Sequence, residues 1–263
     1  MLELTLRVAA ADVEEVLDAV LPALPGGVHL RADGEAIEMR VPGAPGEEQL
    51  RALVGARLIE LSREEVPDDW RERRLSHYEP LVVANRFLVR PDWAPSGDDE
   101  GLVEIVLEQS TAFGTGVHPT TQACLAALAE ATPDGSFADY GCGSGVLSIA
   151  AARLGWSPVL AVDIDEPSVA AARRNADRNG VEVEARSVDL TSEPPPPADT
   201  IAANIPPAIH TALASRIEHS PRLVIASGFK GEDSERVATA WGAHGLRVSE
   251  ELAAMEWLAL VLR

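Results

Sequence analysis

Glycine fills every second position of Gly141-Cys142-Gly143-Ser144-Gly145, directly after Phe137-Ala138-Asp139-Tyr140 and directly before a stretch rich in alanine. A strand, a bare turn and a helix in that order form a place where a ligand can lie against backbone, because glycine brings no side chain and reaches unusual dihedral angles. Asp139, Gly141, Gly143 and Gly145 are therefore candidate ligand contacts. Other uses of a glycine-rich turn fit less well. A dinucleotide fingerprint needs its third glycine one place later, where Val146 stands, and a phosphate loop needs a Gly-Lys-Ser/Thr step that is absent. A plain tight turn is the bland alternative.

Four further signals follow the same logic. Asp163 ends the next apolar run, 18 residues beyond Gly145, where an acid can accept both hydroxyls of a ribose. Its neighbour Asp165 falls at a helix-cap position. Asp189 follows a third run and can bind the amino group of a purine, or serve as a solvated loop acid. Asn204 ends a fourth run, with Pro206 and Pro207 stiffening what comes after. An amide there faces the centre of a sheet crevice, unless it only forms a turn. Upstream, Ala112-Phe113-Gly114-Thr115-Gly116-Val117-His118-Pro119-Thr120-Thr121 makes a flexible loop running into a helix start at Pro119. Thr121 can offer its hydroxyl to a ligand. His118 suits a cap better than a base.

The elements that must position these residues are legible in outline. Residues 1–66 read as a small ferredoxin-like α/β unit in the order β-α-β-β-α-β. Its strands are Leu2–Val8, Val28–Arg31, Ile37–Val41 and Arg57–Leu61. One helix starts at Asp12 and carries Val13, Val16, Leu17 and Val20, and a second spans Glu47–Val54. A turn at Asp33-Gly34 joins the middle strands. Residues 67–100 read as a connector with a charged helix at Asp68–Leu75, a strand at Phe87–Arg90 and a loop at Ser96–Glu100. From 101 to 263 strands and helices alternate. Strands are expected at Phe137–Tyr140, Pro158–Asp163, Val181–Val188, Thr200–Asn204 and Arg222–Ser227, helices at Val146–Leu154 and Ser168–Asn179, and a closing hairpin at Leu246–Leu252 and Glu256–Leu262. The fold class is α/β: a doubly wound, mostly parallel, seven-stranded Rossmann-like sheet behind a small α/β domain.

Composition narrows the function. The net charge of −20 disfavours nucleic acid and anionic membranes and favours a basic partner, although solubility alone also accounts for it. Two cysteines without CxxC spacing, no signal-peptide pattern and no long apolar run point to a reducing cytoplasm. The histidines His77, His118, His210, His219 and His244 show no metal-ligand spacing, so no metal is expected. Oligomeric state is not legible.

The run Asp139–Gly145 with Asp163 resembles the core of class I S-adenosylmethionine-dependent methyltransferases. More narrowly, Ala112–Thr121, Asp139–Gly145, Val162–Pro167, Asn175–Gly180 and Ala202–Ile205 together resemble the PrmA family, over most of residues 67–263. The resemblance implies S-adenosylmethionine as cofactor and N-methylation of lysine and amino-terminal amines of ribosomal protein L11, with the small first domain recognising the substrate. It implies cofactor contacts at Thr121, Gly141, Asp163 and Asn204, and Asn204, a polar amide at the central strand tip, is also the candidate catalytic residue that orients the amine. The sequence departs from the family at Glu108-Gln109-Ser110, where an Asp-Pro-Gly-like stretch is usual, and at Pro206-Pro207. Its connector keeps Trp70 but loses a second tryptophan that the resemblance leads one to expect. These departures touch the identity of the methyl acceptor, which leaves another protein or a small molecule as the rival substrate. A cofactor-binding module without turnover is the rival from another class.

Overall fold

The computed structural model describes residues 2–9, 12, 16, 19–20, 29–33, 36–42, 46–65, 80–96, 101–108 and 118–263. The chain divides into two units, Met1–His77 and Tyr78–Arg263.

The first unit holds a four-stranded sheet of β1 (Leu2–Ala9), β2 (His29–Asp33), β3 (Ala36–Pro42) and β4 (Leu58–Glu65). The order is β2-β3-β1-β4 with every neighbouring pair antiparallel, which is the ferredoxin-like arrangement. Period-two alternation sets its inner face: Leu4, Leu6 and Val8 are buried, and Thr5 and Arg7 between them are half-buried. Helix α1 (Glu47–Val54) buries Leu50 and Val54, one turn apart, in a cluster that also takes Val16, Val20 and Met39. Of the helix expected from Asp12, only residues 12, 16, 19 and 20 are described. Gly34 and the helix expected at Asp68–Leu75 lie outside the described residues.

The second unit is built on a seven-stranded sheet. Its strands are β8 (Phe137–Tyr140), β9 (Val159–Asp163), β10 (Glu184–Ser187), β11 (Thr200–Asn204), β12 (Leu223–Lys230), β13 (Val248–Ala254) and β14 (Trp257–Leu262). The order is β10-β9-β8-β11-β12-β14-β13, and β14 runs antiparallel to both of its neighbours while the other pairs are parallel. The sheet is wound outward in both directions from the β8–β11 pair, which makes that pair the switch point where ligands bind at the carboxyl ends of strands. Its inner strands are largely apolar and buried because helices cover both faces, whereas the edge strands β10 and β13 carry exposed polar residues. One face packs on α2 (Pro119–Glu130) and α3 (Val146–Leu154) through Leu125, Leu128 and Ile149. The other packs on α5 (Pro207–Ala214) and α6 (Ser234–Gly242) through Leu213, Val237 and Trp241. Helix α4 (Glu166–Asn179) follows β9 and buries Val169 and Ala172 in a smaller cluster with Ala161.

Several elements differ from the sequence-based expectation. Besides β6 (Phe87–Pro91), two short strands, β5 (Leu81–Val83) and β7 (Val103–Leu107), complete a separate three-stranded sheet of order β5-β6-β7. Strand β10 is shorter than Val181–Val188, since an edge strand gains hydrogen bonds on one side only. Strand β12 runs on to Lys230, paired there with Trp257 of β14. Among the described residues, no helix is long and apolar enough to cross a membrane.

Candidate functional site

The glycine turn sits at the carboxyl end of β8. The N–H groups of Gly141 and Cys142 both donate to the Val162 carbonyl, at 2.8 and 2.9 Å, tying the turn to β9. Gly141, Gly143 and Gly145 all have positive φ, at 77°, 51° and 80°. Packing explains two of them more sharply than the sequence does. A Cβ on Gly141 would stand 2.5 Å from Ile205 Cγ2, and one on Gly145 would stand 3.0 Å from the Cα and Cβ of Ala172. The missing side chains at these two positions make room for β11's exit and for α4, so the protein itself sets the shape of the turn. Burial pushes the Cys142 thiol well above its usual range, which leaves it a small apolar filler.

Asp163 closes the turn from the side. Its Oδ2 accepts the Gly143 N–H at 2.9 Å and its Oδ1 accepts the Asp165 N–H at 3.0 Å. An ionised carboxylate offers about four lone-pair sites, so two remain for a ligand diol. Ile164, 66% exposed, stands next to it as an apolar surface. This donor and acceptor set fits an adenosyl group. Asp165 caps α4, accepting from the Ser168 N–H and hydroxyl at 2.9 and 2.8 Å.

The other two acids are placed differently. Asp139 lies beneath the turn, 1% exposed, with Oδ2 accepting the Ser148 N–H at 3.1 Å and the Ser148 hydroxyl at 2.8 Å. Burial pushes its pKa up to about 7, against the pull of the Ser148 hydrogen bonds and with help from the charge of Asp163. Asp139 thus braces the start of α3. The Asp189 carboxylate serves its own turn: it accepts from the Thr191 N–H and hydroxyl and from the Ser192 hydroxyl at 2.9, 2.6 and 2.7 Å. Glu193 returns the favour by accepting the Asp189 N–H at 2.9 Å. Those hydrogen bonds, Thr191's first, hold the Asp189 pKa below the ordinary value.

The other end of the crevice is formed by β11 and α2. Asn204 Nδ2 donates to Thr121 Oγ1 at 3.3 Å, which brings two of the sequence-predicted residues together. His118 is the cap of α2, its Nδ1 accepting the Thr120 N–H at 3.3 Å, and desolvation lowers its pKa. The ring meets Trp257 edge-on at 5.0 Å between centroids. Trp257 in turn faces Lys230, whose Nζ is 5.8 Å from the ring centre and 3.1 Å from Glu256 Oε2. Residues 112–117 of the predicted loop lie outside the described residues.

Behind Asn204 stands a support that sequence reasoning missed. The Ser227 carbonyl takes the Ile205 N–H at 3.0 Å and His210 Nε2 at 2.9 Å. The Trp241 indole N–H can only donate, so at 3.3 Å it fixes His210 Nδ1 as the acceptor and Nε2 as the protonated nitrogen. Burial holds His210 neutral, with its pKa pushed down to about 4. Pro206 and Pro207 are the cap and first residue of α5, the helix that carries His210. Among the described residues, no group of three or more His, Cys, Asp or Glu side chains could hold a metal ion.

A sheet of this order, wound outward from β8 and β11 with a glycine turn and a strand-tip acid at the switch point, defines a doubly wound α/β protein with an open crevice there. The comparison with known proteins is more specific. The model of the family described as ribosomal protein L11 methyltransferase (PrmA) matches residues 47–263, and the chain belongs to that family. It is 37% identical over 200 residues to the ribosomal protein L11 methyltransferase of Pseudomonas putida, covering 74% of this chain and 68% of that one. It is 35% identical over 213 residues to the protein of the same name from Symbiobacterium thermophilum, covering 79% and 70%. The crystal structure of a ribosomal protein L11 methylase from Lactobacillus delbrueckii subsp. bulgaricus matches with a TM-score of 0.63 and 28% identity, over 71% of this chain and 98% of that one.

Proposed function

We propose that the chain transfers methyl groups from S-adenosylmethionine to amines of ribosomal protein L11, lysine side chains and the amino terminus among them, in the cytoplasm. The observation that carries this reading is the Asp163 carboxylate, held by two backbone N–H groups at the switch point and keeping acceptor sites for a ribose. In it, Gly141, Gly143 and Gly145 shape the cofactor's seat, Asp139 braces that seat from below, and Thr121 and Asn204 stand at the methyl-transfer end. Asp189, committed to its turn, would add at most a contact through its remaining lone pairs. Residues 1–66 would recognise the protein substrate, 67–100 connect, and 101–263 bind the cofactor. A net charge of −20 suits a basic substrate.

When bound, the cofactor supplies a methyl group on a sulfonium, a reactive centre with a good leaving group. The chain's task is alignment, exclusion of water and handling of one proton. A lysine amine is protonated at neutral pH, with a pKa of about 10.4, and becomes a nucleophile only after losing that proton. Burial at the crevice favours the neutral form. Asn204 turns its amide N–H toward Thr121, which leaves Oδ1 to accept an amine N–H and aim the nitrogen lone pair. Water takes the proton.

The test is methyl transfer from labelled S-adenosylmethionine to purified L11 and to whole lysate, with calorimetric titration of the cofactor. Label in L11 supports the reading, label in another protein removes the substrate, and absence of cofactor binding removes the class. Asn204→Ala should lower turnover by about 10- to 100-fold while changing cofactor affinity little, as expected for one lost orienting hydrogen bond. An unchanged rate would remove Asn204 from the mechanism.

A further inference from the structure

Two asparagines one turn apart on α4, Asn175 and Asn179, are 0% and 3% exposed. Buried amides cost free energy unless their hydrogen bonds are met, and here they are met across the fold. Asn179 acts as a strand substitute along the edge of β7. Its Oδ1 accepts the Val106 N–H at 2.8 Å and its Nδ2 donates to the Val106 carbonyl at 2.7 Å. Asn175 does something else. Its Oδ1 accepts the Glu108 N–H at 2.7 Å, while its Nδ2 donates to the Ser144 carbonyl, inside the glycine turn, at 2.9 Å. Arg174 grips the Glu108 carboxylate with Nε at 2.9 Å from both oxygens.

The peptide between Ser144 and Gly145 is thereby fixed on both sides. Its N–H donates to the Cys142 carbonyl at 2.8 Å, and its carbonyl takes the Asn175 amide. Gly145 at φ 80° is the residue through which this peptide would rotate if released. The same side chain holds residue 108, where the chain leaves β7 for the segment that returns at His118, the cap of the helix bearing Thr121.

We infer that Asn175 is a positioning residue for the cofactor site, locking the Ser144–Gly145 peptide of the glycine turn to residue 108 so that the turn keeps its binding shape. This rests on the crevice being the S-adenosylmethionine site. Asn179 supplies the internal control: it has the same chemistry, helix and burial, and its side chain bonds Val106 and the Asn175 backbone carbonyl but does not reach the turn. The experiment compares the full-length chain with Asn175→Ala, Asn175→Ser and Asn179→Ala, measuring thermal midpoint, calorimetric Kd for S-adenosylhomocysteine, and KM and kcat. Asn179→Ala should lower the midpoint and leave Kd within about twofold of wild type. Asn175→Ala should raise Kd and the cofactor KM by about tenfold, the scale of one lost hydrogen bond, with kcat changed less. The Asn175→Ser variant, which keeps a donor, should fall between and serves if the alanine variant does not fold. Equal Kd effects at the two positions, or Asn175 variants with wild-type Kd, would overturn the inference and leave the site reading standing. A wild-type chain that does not bind the compound removes both.

Discussion

The two ends of the crevice are held in different ways. At the end proposed for the adenosyl group, the turn is held through its own backbone groups: two N–H groups on the Val162 carbonyl, one on the Asp163 carboxylate, the Ser144 carbonyl on the Asn175 amide, and glycines whose missing Cβ atoms leave room for Ile205 and Ala172. At the acceptor end, Asn204 meets Thr121 through one 3.3 Å contact, and the rigid part lies a layer behind, in Ser227, His210 and Trp241. A seat for an invariant small molecule can be built into the main chain. An end that must admit a protein's amine is better placed on side chains that can adjust, with a stiff support underneath.

Three measurements can break or sharpen this contrast. The largest effect is expected from Gly141→Ala, which places a Cβ 2.5 Å from Ile205 Cγ2 at a φ of 77°. Backbone strain and overpacking together cost about 3 kcal/mol, a fall of about 8 °C in thermal midpoint for a unit of this size. Because Ile205 follows Asn204, both cofactor binding and turnover should drop; loss of only one would show the ends to be independent. Next, Asp163→Ala should weaken cofactor binding by about 100-fold, through the lost ribose contacts and the freed Gly143 and Asp165 N–H groups. A Kd within a few-fold of wild type would strip the adenosyl end of its main contact.

The smallest effect is one of opposition. Asp139, under the adenosyl end, titrates at about 7 folded against an ordinary 3.8, so its contribution to stability falls as pH rises through that window. His210, under the acceptor end, titrates at about 4 against 6.5, so the unfolded chain takes the extra proton and stability rises with pH there. From pH about 4 to 6.5 the two slopes nearly cancel. Asp139→Asn should uncover the histidine's slope: relative to wild type, denaturant-measured stability should climb across that range. Parallel profiles would refute the pairing.

The adenosyl end was also the more legible in sequence, for the same reason it is rigid. A strand, a glycine turn, a helix and a second strand ending in Asp163 are consecutive, and local patterns carry them. The helices Val146–Leu154 and Glu47–Val54 match their expected bounds because a glycine flanks each end, Gly145 and Gly155 for the first, Gly46 and Gly55 for the second. Helix α2 had no such rhythm: Thr120, Thr121, Ala123, Cys124, Leu125, Ala127 and Leu128 are all buried, so it lacks a polar face to mark its period. Helix α6 was hidden for the opposite reason, since only Val237 and Trp241 turn inward. Asp189 is readable both as a strand-end ligand residue and as a loop acid, and the turn-forming Thr191 and Ser192 that its carboxylate bonds stand right after it. His210 and Asn175 could not be read, because their partners lie 17 and 31 to 67 positions away.

Lys230, paired with Glu256 beside Trp257, is the one lysine among the 22 lysine and arginine residues of the chain. Guanidinium groups stay protonated and offer no lone pair, so a surface carrying its positive charge on arginine is inert to the transfer chemistry inferred above. The catalyst consequently makes a nearly silent blank for its own assay. Methyl-lysine found after a reaction comes either from the acceptor or from a single identifiable peptide, and Lys230→Arg would remove even that background.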